Sequence, residues 1–87
     1  MNQVWHDRYF GKQVARLDPH VRQKLAALIE ILEQNPYDPR LHTKHLSEPF
    51  AGVLSFRVTR DWRVTFHFND TSTIQLLEVK HRKDIYR

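Results

Sequence analysis

The sequence predicts an α+β domain: an N-terminal helical hairpin packed on a small, twisted, mainly antiparallel sheet of three to four strands. Three observations carry this. Apolar residues recur at spacings of three and four up to about residue 34, and they alternate with polar ones from residue 54 onward. A stretch rich in Pro, His and Lys, NPYDPRLHTKHLSEPF, separates the two regimes. At 87 residues the chain makes one domain, residues 1–87, of modest stability.

Taken in order, a short strand is expected near residues 3–6. Asp7 reads as the N-cap of a helix over residues 8–17, with Phe10, Val14 and Leu17 on one stripe. Asp18-Pro19 is a stronger start signal, because Asp caps orphan N–H groups and Pro suits the first helical position. The helix that follows, to about residue 34, sets Val21, Leu25, Leu28 and Leu32 on one face, and Asn35-Pro36 ends it.

Leu54, Phe56 and Val58 alternate with Ser55, Arg57 and Thr59. Trp62, Val64, Phe66 and Phe68 alternate with Arg63, Thr65 and His67. These are two half-buried strands, and Trp62 falls on their apolar side. Asn69-Asp70 supplies the next turn. A third strand over residues 73–79 loses its alternation at Leu76-Leu77, so it is either buried on both faces or bulged. Matching apolar to apolar across the first hairpin pairs even-numbered residues with even-numbered ones. A three-residue loop, 59–61, then sets Arg57 opposite Arg63; moving it by one residue makes the arginines diagonal neighbours. Either way two guanidinium groups share the polar face with His67. Like charges across strands are unfavourable, and a bound anion relieves that cost.

The net charge of +4 lies entirely in residues 40–87, which hold nine Lys/Arg against five Asp/Glu, whereas residues 1–39 hold five of each. A basic half suggests a polyanionic partner. Cysteine is absent, which removes disulfides and thiolate metal sites. His42-x-x-His45 lacks a third ligand nearby, so neither metal nor other cofactor is expected. The start, MNQVWHDRYF, does not read as a secretory signal, and no apolar run approaches the ~18 residues of a membrane span. The expectation is a cytoplasmic protein with no membrane partner.

The phrases NPYDPRLHTKHL, FRVTRDWRVTF and LLEVKHRKDIYR, in this order after a helical hairpin, resemble the RelE/ParE toxin superfamily of type II toxin–antitoxin pairs, in its RelE- and YafQ-like branch. The resemblance implies the RelE-like fold and a metal-independent endoribonuclease that cleaves mRNA on the ribosome, the 2′-OH attacking the adjacent phosphate. It implies a cognate antitoxin, mRNA and the ribosome as partners. It assigns catalytic tasks to His45, Arg57, Asp61, Arg63, His81 and Tyr86. Lys44, Arg60, His67, Lys80, Arg82 and Lys83 are the accompanying RNA-binding residues. Two departures stand out. Arg57 occupies a place where YafQ-like chains carry histidine, and an extra residue separates His81 from Tyr86. Tyr86 is preferred over Ile85 at the aromatic position because Ile cannot stack on a base. The alternatives are a ParE-like, non-enzymatic toxin acting on DNA gyrase and a catalytically inactive RNA- or ribosome-binding homologue.

Overall fold

The computed structural model describes residues 1–85, so Tyr86 lies outside the described residues. The chain runs β1 (Gln3–Trp5), α1 (Arg8–Ala15), α2 (Pro19–Gln34), a 3₁₀ turn (Pro39–Leu41), β2 (Lys44–His45), β3 (Leu54–Arg57), β4 (Trp62–Asp70), β5 (Thr73–His81) and a second 3₁₀ turn (Arg82–Asp84).

Asp7 caps α1 as expected, its carboxylate accepting from the Phe10 N–H at 2.9 Å. The start of α2 works differently. The Asp18 side chain makes no capping bond, and Pro19 with its preset φ opens the helix. At the other end Asn35 leaves the helical conformation and its side-chain oxygen accepts from the Tyr37 N–H at 3.0 Å, which turns the chain. Both helices lay their apolar stripe on the sheet: Phe10, Leu17, Val21, Leu25, Leu28 and Leu32 join Leu54, Phe56, Val58, Val64, Phe66, Ile74, Leu76 and Val79 in one core.

Among the described residues the sheet has five strands in the order β1-β5-β4-β3-β2, against the three to four expected. β1 lies parallel to β5, with Val4 beside Ile74, and the other pairings are antiparallel. The additional strand is β2, two residues inside the Pro-rich stretch, too short to show any alternation. The slip at Leu76-Leu77 is a bulge. Thr65 faces Glu78 and Phe66 faces Leu76, so Leu77 has no partner of its own and the apolar side of β5 is restored on either side of it. The turn expected at Asn69-Asp70 falls two residues later, at Thr71-Ser72, where the Asp70 carboxylate accepts from the Ser72 N–H at 2.9 Å.

The outer edge of β5 is covered in two ways. β1 pairs with residues 73–75. Further along, the Gln13 side-chain amide substitutes for a strand: its oxygen accepts from the Val79 N–H at 2.9 Å and its nitrogen donates to the Val79 carbonyl at 3.4 Å.

Candidate functional site

The β3–β4 turn brings the two arginines together. Arg57 pairs directly with Arg63, and Val58 donates to the Trp62 carbonyl at 2.9 Å, which closes a loop over residues 59–61. The Thr59 hydroxyl accepts from the Asp61 and Trp62 N–H groups, both at 3.3 Å, and braces that loop from inside. Arg63 then folds one terminal nitrogen back onto it. Nη1 donates to the carbonyls of Thr59 at 2.8 Å, Arg60 at 3.0 Å and Trp62 at 3.2 Å. The rest of the guanidinium makes no further hydrogen bond within the described residues.

The chain that follows β5 is tied to the same loop. The Arg82 N–H donates to the Asp61 carbonyl at 2.7 Å, and the Arg82 guanidinium lies 3.6 Å from the Asp61 carboxylate. From the other side come Lys24 and Leu28 of α2, together with Arg40 and His42 of the first 3₁₀ turn. These elements enclose an open cavity of about 520 Å³ lined by Lys24, Arg40, Arg57, Arg60, Arg63, Arg82 and His42, with Leu28, Val58 and Thr59 as its uncharged walls. Among the described residues no carboxylate lines it. Asp38 stands behind, chelating Arg40 at 3.0 and 2.9 Å, and Asp61 behind Arg82. Among the described residues no carboxylate pairs with Lys24, Arg57, Arg60 or Arg63.

The electrostatics follow from this arrangement. Partial burial, then the neighbouring charges of Arg57 and Arg82, hold the Arg63 guanidinium below its ordinary pKa, and Asp61 offsets only part of that. Arg63 remains charged at any physiological pH, so the cavity carries unfavourable like-charge energy that a multivalent anion would relieve. Such a concave set of donors suits phosphate oxygens, which Arg binds in a forked geometry.

Of the residues singled out by sequence, Arg57, Arg60, Arg63 and Arg82 line the cavity and Asp61 braces it. The others lie apart. His45 faces Leu54 across β2–β3, three residues of β3 away from Arg57, and its ring stacks on Tyr37. Lys44 faces Ser55. His67 faces Gln75, four residues along β4 from Arg63. Lys80 stands opposite Arg63 but is salt-bridged to Glu78 at 3.1 Å. His81 pairs with Trp62, meets its ring edge-on at 5.4 Å, and caps the last 3₁₀ turn by accepting from the Lys83 N–H at 3.3 Å. It adjoins the cavity through its neighbour Arg82, and Lys83 is not among the lining residues.

Three lining residues were not anticipated: Lys24, Arg40 and His42. Lys24 is one turn before Leu28 on α2, an ordinary exposed position in any helical reading. His42 carried a signal that only structure could interpret. It closes the first 3₁₀ turn at φ 51°, a left-handed conformation uncommon outside glycine, and the β2–β3 register extended two residues back sets it beside Arg57. His42 therefore lines the cavity and His45 does not. Among the described residues no group of three His, Asp or Glu converges.

Two helices thus lie on one face of a mixed five-stranded sheet, and a cationic cavity opens at the β3–β4 turn. A family model described as the ParE toxin of type II toxin–antitoxin systems, parDE, matches residues 6–86, and the chain belongs to this family within the RelE/ParE superfamily. Among solved structures, the archaeal RelE of the RelE–RelB complex from Pyrococcus horikoshii superposes with a TM-score of 0.80 at 20% identity, covering 95% of this chain and 97% of that one. YafQ from E. coli superposes with a TM-score of 0.78 at 15% identity over 100% of both chains. The RelBE2 toxin–antitoxin complex of Mycobacterium tuberculosis gives 0.71 at 27% identity, covering 93% and 98%. No curated protein is significantly similar in sequence. The chain is thus a toxin of a type II toxin–antitoxin system. No helix among the described residues is long and apolar enough to cross a membrane.

Proposed function

We propose that this toxin is an endoribonuclease that cleaves mRNA on the ribosome, and that the cavity at the β3–β4 turn receives the scissile phosphate. The observation that carries the reading is the set of six cations that converge there with no lining carboxylate among the described residues. Attack of a ribose 2′-oxygen on its own 3′-phosphate forms a new P–O bond and expels the 5′-oxygen, leaving a 2′,3′-cyclic phosphate. A base must take the hydroxyl proton, cations must meet the charge that grows on the phosphoryl oxygens, and a proton must reach the departing 5′-oxygen. Arg57, Arg63 and Arg60 supply the second requirement. Of the two loop imidazoles, His42 lines the cavity beside Arg57, and we assign it the hydroxyl proton in place of His45. For the proton that the departing 5′-oxygen needs, His81 and Asp61 are the candidates among the described residues, and the family resemblance adds Tyr86, which lies outside them. The partner that silences the toxin is a cognate antitoxin, as in the RelE–RelB and RelBE2 complexes.

A second reading draws on the matched family model itself: a ParE-like toxin that binds DNA gyrase and cleaves nothing. One experiment separates the two. The toxin is induced in cells and mRNA 5′ ends are mapped. Cleavage at codon-related positions is expected, falling by about 10²–10³-fold in Arg63→Ala, the usual cost of removing one donor to a developing oxyanion. Intact mRNA together with a DNA-damage response would favour gyrase.

A further inference from the structure

Away from the cavity, one exposed feature is more ordered than its burial explains. Tyr37 keeps 54% of its surface in water. Its backbone is nevertheless held from several sides. Its N–H donates to Asn35 Oδ1, the Asp38 N–H donates to the Asn35 carbonyl, and the Thr43 hydroxyl donates to the Pro36 carbonyl. The ring lies nearly parallel to that of His45 (centroids 6.1 Å apart, 24°) and to that of Phe68 (6.5 Å, 26°). Phe68 in turn meets the buried Phe66 edge-on at 5.9 Å, so the row of rings is anchored in the core.

We infer that Tyr37, flanked by His45 and Phe68, is a stacking platform for an unpaired base of single-stranded RNA whose phosphate occupies the cavity. The inference rests on the ribonucleic-acid reading of that cavity and adds to it a second subsite. A flat, fixed π-surface open to solvent suits a nucleobase, which needs a face and no particular hydrogen-bond pattern. The flanking charges favour an anionic ligand over an apolar one, and the exposed ring favours an anion that carries bases. Lys44 is exposed next to His45, and the local carboxylate, Asp38, is already chelated by Arg40. Arg40 and His42, three and five residues after Tyr37, line the cavity, so one short segment of chain carries the platform to the cavity.

The test uses the full chain and a fluorescently labelled single-stranded RNA of about ten nucleotides, 2′-O-methylated so that it cannot be cleaved, with affinity read by anisotropy over a salt series. Tyr37→Ala is expected to weaken binding about tenfold with an unchanged salt slope, and Tyr37→Trp to retain it. Arg57→Ala is expected to weaken binding and lower the slope by about one. An oligomer with an abasic site at the stacked position should reproduce the Tyr37→Ala loss on the wild type and add nothing on the Tyr37→Ala protein. Tyr37→Ala or Tyr37→Trp binding that breaks this pattern, with Arg57→Ala still reducing the slope, overturns the platform and leaves the RNA reading standing. No binding by the wild type overturns both.

Discussion

Arg57 and Arg63 face each other across β3 and β4 yet have different physical roles. Arg63 is half-buried and fastens the loop through three carbonyls, whereas Arg57 is exposed and its side chain makes no hydrogen bond within the described residues. Removing Arg63 strands carbonyls that its charge had satisfied, at a cost of about 1–2 kcal/mol by the usual worth of hydrogen bonds to charged groups. Removing Arg57 deletes only the repulsion between like charges on adjacent strands, typically a few tenths of a kcal/mol. Urea denaturation should therefore show Arg63→Ala clearly destabilised, while Arg57→Ala is as stable as the wild type or slightly more so. Equal losses in the two variants would mean that Arg63 does not brace the loop. Both variants are expected to lose phosphate binding, so stability and binding separate at Arg57 and coincide at Arg63. The pairing of these two residues was readable from sequence, because the period of a strand fixes which residues share a face once the apolar set is matched. Which histidine accompanies them was not. That depends on the register of a two-residue strand with no apolar pattern of its own, and it places His42 rather than His45 beside Arg57.

At the scale of elements, the first 3₁₀ turn connects α2 to the cavity, and its geometry depends on Asp38. That carboxylate accepts from the Arg40 N–H at 2.9 Å and from its guanidinium. These bonds, the side-chain one foremost, pull its pKa from the ordinary 3.8 to about 2. The sign is that of a depressed carboxylate. Its stabilising contribution is whole above about pH 3.8 and is lost as the pH falls through about 2. Carbon-detected NMR of the Asp38 carboxyl should give a midpoint near 2 in the wild type and a return toward 3.8 in Arg40→Ala; a midpoint already near 3.8 in the wild type would remove the pairing. The helices, the β3–β4 hairpin and the third long strand were legible from periodicity, and the break at Leu76-Leu77 announced a bulge as one of two outcomes. The 3₁₀ turn and β2 were not, since each spans three residues or fewer and is held by tertiary packing of Leu41 and Leu46. With them went the contributions of Arg40 and of Lys24, whose place at the cavity depends on how α2 crosses the sheet.

For the molecule as a whole, the sequence located its positive charge in the second half, and folding draws Lys24 from the neutral half into the same cavity. The family could be inferred from the order of its phrases, because order and spacing fix which elements meet. The sheet also has an outer boundary that no phrase announced. Where β1 stops short, the Gln13 amide occupies the hydrogen-bonding positions of Val79 that another strand would otherwise use. One side chain thus keeps that stretch of the border from recruiting the backbone of a second molecule, the route by which open sheets associate. Gln13→Ala is expected to give a sedimentation coefficient that rises more steeply with concentration than the wild type's, while Gln13→Glu, which still accepts from the Val79 N–H, should shift less. A Gln13→Ala protein that sediments like the wild type at every concentration would show that α1 alone seals the border. Along that stretch of the border the two bonds of one side-chain amide stand where a whole strand would otherwise lie.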